Sequence, residues 1–487
     1  MKIYPPRLVQ FAATIVVVAA MLGATVSLAA QETSQTSASS TTRPNIIFIL
    51  ADDLGYADTG FNGQTNFATP CLDRMAEQGM VFTQFYSGST VCAPSRACLL
   101  TGHHTGHIFQ RFNGDIQFRE DDHDITIARM LKERGYQTAM IGKSGLACHS
   151  TDAQLPHRKG FDYFYGYLCH REAHRYYPKV LFDNGEKVTF ANNHGKNGDT
   201  YSGELFLNES LQWIDANKDE PFFLHVSLQQ PHADLAAPAQ FRDKHLDRFE
   251  ETPFPEGKHY RAETHPKATF VGMVQYLDHS VGKILDKLVE HGIDDSTYVF
   301  FSSDNGPHFE GGAHADHFDS NGPLRGGKRD LYEGGIRVPF VAWAPGRIAA
   351  GSKSDHMAAF WDFPATACEL SGQPMTTDTD GISFVPTLHG NASEQEAHEY
   401  LYWEFFERGG RQAIRMGDWK AVRLKVNKDP TSKFQIYDLK NDLGETTDVA
   451  QEHPDLVARF KEIASQAHTA HPDKPFGDEI QPNKDRD

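Results

Sequence analysis

Asn45-Ile46-Ile47-Phe48-Ile49-Leu50-Ala51-Asp52-Asp53 sets the architecture. The apolar residues follow one another without alternation. Such a run suits a strand buried on both faces, as at the centre of a parallel sheet covered by helices. Two acids stand at its carboxyl end, where open α/β sheets place their ligands.

The same grammar recurs on the C-terminal side of this strand. Thr69-Pro70 predicts a helix start, with Thr69 as N-cap and Pro70 in the first turn. Leu72, Met75 and Ala76 form its inner stripe and Gly79 ends it. Val81 to Phe85 reads as a further extended segment. Ile127, Met130 and Leu131 mark a helix closed by Gly135, followed by a strand over 136–141 that runs into Gly142-Lys143. Phe222 to Leu228 predicts a strand ending at Pro231-His232. The stripe from Phe270 to Leu288 predicts one long helix ending near Gly292, and Tyr298 to Ser302 a strand that meets Asp304-Asn305-Gly306. Alternating strands and helices imply an α/β fold, a large mainly parallel sheet flanked by helices. After about residue 390 the pattern changes to short strands over 401–406, 412–416, 419–423 and 434–438, then a helix over 454–468. These predict a smaller C-terminal α+β domain over 393–487, beside a catalytic domain over 44–392.

Upstream, residues 1–30 read as an export signal. Lys2 and Arg7 precede an apolar stretch, and Ser27-Leu28-Ala29 fits a small-x-small cleavage site. A polar linker over 31–43 follows. The expected location is therefore periplasmic or secreted, with no permanent membrane anchor. The 487-residue chain has a formal charge of −18, which argues against nucleic acid as a partner. That charge also means that an anionic substrate needs local cations to overcome the overall field. Six cysteines in a chain of this length are too sparse for a disulfide scaffold, and their pairing is not legible.

Asp52, Asp53, Asp304 and Asn305 supply three carboxylates and an amide oxygen, all directly after strand-like runs. Adjacent carboxylates repel unless a cation neutralises them. An all-oxygen set suits Ca²⁺ or Mg²⁺ rather than Zn²⁺. Either acidic pair alone also suits a helix or turn cap; the two together at strand ends favour a metal.

Cys92-Ala93-Pro94-Ser95-Arg96, continuing to Leu99-Leu100-Thr101-Gly102, resembles the type I sulfatase signature, in which the Cys is oxidised to formylglycine. Three other segments match that family in order: Asn45 to Asp53, Ser303-Asp304-Asn305-Gly306, and Gly326-Gly327-Lys328 through Glu333-Gly334-Gly335-Ile336-Arg337-Val338-Pro339. The resemblance spans Pro44 to Asp448. It implies an alkaline-phosphatase-like fold and one Ca²⁺ per chain held by Asp52, Asp53, Asp304, Asn305 and residue 92. It further implies a maturation enzyme that converts Cys92, and hydrolysis of a sulfate ester through a sulfoenzyme intermediate. Arg96, Lys143, His232 and Lys328 match family positions that contact the sulfate or the nucleophile. An opposite-charge pair about 4 Å apart gains roughly 4 kcal/mol at an effective dielectric near 20, so several such contacts offset the unfavourable overall charge. In this reading one hydroxyl of the hydrated aldehyde attacks sulfur, His232 protonates the departing alcohol, and the second hydroxyl expels sulfate.

The pattern departs from the family at Gly142-Lys143-Ser144-Gly145, where relatives carry Lys-x-His. Gly145 stands in place of the His assigned to deprotonate the diol, which leaves His308 and His103 as candidate bases. This variant, with Pro231-His232-Ala233-Asp234-Leu235, resembles a branch acting on sulfated sugars, including galactose- or N-acetylgalactosamine-type 4-sulfates. The basic, aromatic stretch with His170, Arg171, His174 and Arg175 suits a sugar subsite or a solvated loop. His314, Asp316 and His317 read as a polar loop. Two rival functions are a phosphatase or phosphodiesterase of the same superfamily and a non-catalytic binder of sulfated polysaccharide. Cys92 and the oxygen-only ligand set count against the first, and the retained site residues against the second.

Overall fold

The computed structural model describes residues 43–119, 124–146, 155–257, 259–429 and 431–480. The expected leader and all of the linker but Arg43 lie outside them, as does Cys148. Among the described residues no helix is long and apolar enough to cross a membrane.

The run Asn45–Asp52 is a strand, buried along its whole length, in the middle of a ten-stranded sheet. From one edge the order is Ser352–Ser354, Met80–Phe82, Phe340–Trp343, Thr297–Ser303, Asn45–Asp52, Phe222–Pro231, Gln137–Lys143, Tyr163–Tyr167, Val180–Asp183 and Glu186–Thr189. The five strands from Thr297–Ser303 to Tyr163–Tyr167 are mutually parallel. Antiparallel pairings appear towards both edges, at Phe340–Trp343 on one side and Val180–Asp183 on the other.

Alternation within the central strand explains its composition. Ile46, Phe48 and Leu50 enter one core layer, with the helices Cys92–Thr101, Ile127–Glu133 and Asp362–Leu370 over it. Ile47, Ile49 and Ala51 enter the other, beneath Ser202–Asn217 and the 26-residue helix Pro266–His291. Each buried Ile, Leu or Phe side chain contributes about 1.5–3 kcal/mol of transfer free energy, and neither face needs a polar residue.

The helix expected after Thr69 spans Pro70–Gln78. Thr69 does not cap it. Its hydroxyl accepts from Gly60 N at 2.8 Å, and Asp278 from the long helix takes the orphan N–H groups of Cys71 and Leu72 at 3.0 and 2.8 Å. Capping passes to a carboxylate more than 200 residues away, a tertiary solution that local spacing does not contain. The segment expected over 81–85 is broken into Met80–Phe82 and Phe85–Tyr86.

The C-terminal strands Leu401–Phe405, Arg411–Met416, Trp419–Leu424 and Phe434–Asp438 form a separate four-stranded antiparallel sheet. Leu401, Trp403 and Phe405 face the main core, while Tyr402, Ile414, Ala421 and Ile436 meet the helix Pro454–Gln466 through Phe460 and Ile463. Lys420, fully buried, ties this sheet to the short helix Glu333–Ile336: its Nζ lies 2.7 Å from Glu333 Oε1 and 3.8 Å from Glu445 Oε1. Tyr86 donates to the other oxygen of Glu333 at 2.8 Å, and Arg337 stands 3.4 Å from it.

Candidate active site

The carboxyl ends of the parallel strands converge on one buried cluster. Asp52 is the last residue of the central strand. Asp53 takes a left-handed backbone conformation (φ 67°), which turns its carboxylate back beside that of Asp52. Acids tolerate this region better than most side chains but still rarely adopt it. The turn is held from the neighbouring strand: Asp53 N donates to Asp304 Oδ1 at 3.1 Å and Leu54 N to Ser303 Oγ at 2.8 Å. Gly306 follows because a Cβ there would lie 1.9 Å from Gly334 O, so the loop carrying Lys328 and Glu333 packs directly on the Asp304 turn.

Cys92 begins the helix Cys92–Thr101, although the sequence around Pro94 gave no sign of one. The side chain is completely buried and Sγ lies 3.2 Å from Asp52 Oδ1 and 4.0 Å from Asp53 Oδ1. One turn along the same helix, Arg96 grips Asp304 Oδ2 through Nε at 2.9 Å and Nη2 at 2.8 Å, and approaches Asp52 at 3.6 Å. It also donates to Ser227 Oγ and, at 3.4 Å, to Lys143 O. Lys143, ending its strand, lies 2.6 Å from Asp52 Oδ2, and Lys328 2.7 Å from Asp53 Oδ2. Asn305 Nδ2 donates to Asp53 Oδ1 at 2.7 Å, while its Oδ1 is buried with no hydrogen-bond partner among the described residues. His232 presents Nε2 to Asp53 Oδ2 at 3.4 Å, and its Nδ1 is engaged by the carbonyl of Ala233.

Every residue read from the sequence as a metal ligand, together with Arg96, Lys143, His232 and Lys328, thus lies in one cluster. His308 is within it too, its ring 5.8 Å from that of His232. Both of its nitrogens are committed to the backbone: Nε2 donates to Pro231 O at 3.0 Å and Nδ1 accepts from Glu310 N at 3.2 Å. That geometry ties His308 to the Pro231-His232 turn and leaves it no free nitrogen for the role of base expected from the sequence. His103 lies beyond the far end of the ten-residue helix, about 15 Å away at 1.5 Å per residue, too far to serve residue 92.

Two residues read only as a sugar subsite or loop come close instead. The His174 ring stacks on that of His232 at 4.2 Å, and His170 lies 5.4 Å from His174. Among the described residues, both nitrogens of His170 and Nε2 of His174 are buried without hydrogen-bond partners. A Cβ on Gly145 would be 3.4 Å from Ile116 Cδ1 and 3.6 Å from His170 Nδ1, so the space beside Gly145 is shared by an isoleucine and an imidazole from elsewhere in the chain. The HREAHR sequence contained these histidines, but no spacing rule joins position 170 to position 145.

The electrostatics fit a cation-dependent anion site. Burial pushes Asp304 up to about 7, reinforced by Asp52 and opposed by Arg96. Burial works the same way on Asp52, but Lys143, His232 and Arg96 outweigh it and hold that carboxyl well below its usual range. Burial, with Asp304 and Asp52, pushes the Cys92 thiol well up, so an unmodified Cys92 is a neutral thiol rather than a thiolate. Burial and Lys328 push His232 well down; burial, Lys143 and His174 do so for His170. Asp52, Asp53 and Asp304 are balanced by Arg96, Lys143 and Lys328. A divalent ion would give this cluster a surplus of about two positive charges, the sign an anionic ester needs. Asp52 and Asp53 cluster with Cys92 and His232, Asp304 joins them through Asp53 N and Arg96, and the unpartnered Asn305 Oδ1 adds a further oxygen, so the residues fit a hard metal ion.

A buried acid–cation cluster at the carboxyl ends of a mainly parallel, doubly covered sheet, with a side antiparallel sheet, defines an alkaline-phosphatase-superfamily hydrolase. The chain belongs to the sulfatase family, type I, and is a sulfuric ester hydrolase: the Sulfatase family model matches residues 44–373, and the model described as N-sulphoglucosamine sulphohydrolase, C-terminal, matches 326–469. It is 32% identical to the N-acetylgalactosamine-6-sulfatase of Mus musculus, over 86% of this chain and 79% of that one. It is 27% identical to the N-acetylgalactosamine-6-O-sulfatase of Bacteroides thetaiotaomicron, over 88% and 93%. The crystal structure of Ps i-CgsB in complex with k-i-k-neocarrahexaose superposes with a TM-score of 0.75 at 28% identity, covering 89% of this chain and 94% of that one.

Proposed function

We propose that this sulfatase removes a sulfate ester from a galactose- or N-acetylgalactosamine-type carbohydrate, using formylglycine made from Cys92 and one Ca²⁺. The observation that carries the mechanism is the position of Cys92, 3.2 Å from Asp52 within a ring of Arg96, Lys143 and Lys328. The sugar class rests on the relatives' names and on the carbohydrate bound to Ps i-CgsB. Export to the periplasm or beyond rests on the leader-like residues 1–30.

Asp52, Asp53, Asp304 and Asn305, with residue 92, would hold the ion, which supplies Lewis-acid stabilisation of negative charge. The chain's own groups do the rest. Sγ of Cys92 marks the place of the diol oxygen that would attack sulfur. Arg96, braced by Asp304 and Ser227, fixes the orientation of that diol. Lys143 and Lys328 offer ammonium groups to the sulfate oxygens, where charge grows as the S–O bond to the sugar breaks. His232, with Nδ1 tied to the backbone, has Nε2 as the nitrogen that carries a proton to the departing alcohol. An anionic ester beside it favours its charged form. The second diol hydroxyl then gives up its proton, the C–O bond to the sulfate breaks, and sulfate leaves as the aldehyde re-forms.

The acceptor of that last proton is His170, the imidazole beside Gly145 with two unpartnered nitrogens. His170→Ala is expected to slow turnover by about 10²–10⁴-fold and to leave the first sulfur transfer fast, so that sulfoenzyme accumulates. Rapid-quench mass spectrometry reads this directly; a steady state without sulfoenzyme would remove His170 from the step.

Chelation followed by desalting is expected to abolish turnover, and Ca²⁺ to restore it more fully than Zn²⁺. Loss of activity that no divalent ion reverses would count against the ligand assignment. The test of the function as a whole has two parts. Peptide mass spectrometry of residue 92 should show sulfur replaced by oxygen. A panel of galactose and N-acetylgalactosamine 4- and 6-sulfates, with an aryl phosphate as the contrasting ester, should release sulfate from at least one sugar and little phosphate. Faster phosphate release would favour the phosphatase reading.

A further inference from the structure

The helix that begins at Cys92 has a second cluster at its other end. Besides the set around Cys92, the described residues contain one further group of three ligating side chains: His103, His107 and Asp380, whose donor atoms lie within 4.8 Å of one another. The sequence places Asp380 more than 270 positions from either histidine, so the fold, not local spacing, assembles them.

Their frame is rigid. The helix stops at Gly102, which takes a left-handed conformation (φ 79°) and turns the chain so that His103, His104 and His107 wrap around its end. The Asp380 segment is pinned to the same turn: Asp380 N donates to Gly102 O at 2.9 Å, and Thr379 Oγ1 donates to that oxygen at 2.7 Å. His104 N donates to Asp380 Oδ2 at 2.9 Å, fixing the carboxylate, and His104 Nδ1 accepts from Gly106 N at 3.1 Å.

The donors are held but not saturated. His107 Nδ1 lies 2.8 and 2.9 Å from the two oxygens of Asp380. His103 Nδ1 lies 3.4 Å from Oδ2, and this buried atom has no well-aligned hydrogen-bond partner among the described residues. The three side chains are 12%, 30% and 17% exposed, for His103, His107 and Asp380. His103 and His107 border a cavity of about 570 Å³ that is also lined by Thr101, Arg119 and Asp378, so an ion has a route in and room for water.

We infer that His103, His107 and Asp380 form a second metal site, selective for Zn²⁺ or a neighbouring late first-row ion. Two imidazole nitrogens and one carboxylate oxygen suit such ions, in contrast to the oxygen-only set around Cys92. Three protein ligands leave a coordination position for water on the cavity side. The site also lies beyond the C-terminus of a ten-residue helix, where the exposed carbonyl ends favour positive charge. An ion there ties the nucleophile-bearing helix to the Asp380 loop.

The test uses the full chain with excess Ca²⁺ present, so that the Cys92 cluster is occupied. Equilibrium dialysis against Zn²⁺ is expected to show one bound equivalent per chain, and substitution by Co²⁺ to give the visible absorption of a low-coordinate site. His103→Ala and His107→Gln should each weaken binding at least about tenfold and remove the Zn²⁺-dependent rise in thermal midpoint, while sulfate-ester turnover without Zn²⁺ stays unchanged. His103→Asn, which keeps a polar side chain of similar reach, covers the case in which the alanine variant fails to fold. Asp52→Asn should keep the Zn²⁺ equivalent. The inference is overturned if the wild type takes up no Zn²⁺ in Ca²⁺, if His103 and His107 variants retain it, or if Asp52→Asn loses it.

Discussion

Cys92→Ser is expected to lose sulfatase turnover by about 10³-fold or more while keeping its fold and its Ca²⁺. The substitution is nearly isosteric in a fully buried position, so structure is not what it removes. A serine hydroxyl still sits at the N-terminal end of the helix, near Asp52, and can attack sulfur once. The resulting sulfate ester has no second hydroxyl on the same carbon to expel it. The expected result is therefore a single stoichiometric turnover: intact mass rises by one SO₃ and then stays there. Continued turnover at the parental rate would sink the diol mechanism, because only a diol needs the aldehyde.

Glu333→Ala is expected to destabilise the fold by about 3–5 kcal/mol, the largest stability effect of any single change discussed. It leaves Lys420 fully buried beside only Glu445 and strands the Tyr86 hydroxyl, while Arg337 keeps its bonds to Thr83 O. Burial opposes the charge on Glu333, yet Lys420, Arg415 and Arg337 hold its carboxyl down at about 2. Its pKa is depressed on folding, so this stabilisation is present above the ordinary value of 4.5 and fades as pH falls towards 2. Urea titrations at pH 7 and pH 3 check both statements: the gap between wild type and variant should narrow at the lower pH. A pH-independent gap would mean that lost packing, not the ion pair, dominates. Glu333→Ala with Lys420→Met should recover much of the loss, since removing both charges removes the desolvation cost.

Much of this was legible in the sequence, for identifiable reasons. The unbroken run Ile46–Ala51 suits a strand covered on both sides, and the structure places it mid-sheet. The four C-terminal strands kept their boundaries within a residue or so because antiparallel pairing there is local in sequence. What escaped is what depends on distant partners. The helix at Cys92 begins with no side-chain cap and carries Pro94 in its first turn, so no capping residue announces it. The strands Tyr163–Tyr167, Val180–Asp183 and Glu186–Thr189, which run out to one edge of the sheet, interrupt the strand–helix alternation and escaped the sequence pattern. His170 is the clearest case: its place beside Gly145 depends on a sheet crossing, and a missing side chain at one position gives no hint of which distant residue fills the gap.

The complete enclosure of Cys92 also imposes an order of events. The walls around its thiol come from residues 52 and 53 on one side and 143, 232, 304 and 328 on the other, so the cage closes only when about two-thirds of the polypeptide has been laid down and collapsed. If a separate enzyme converts Cys92, as proposed, it would act before this cage closes, and a chain that folds first would keep its thiol.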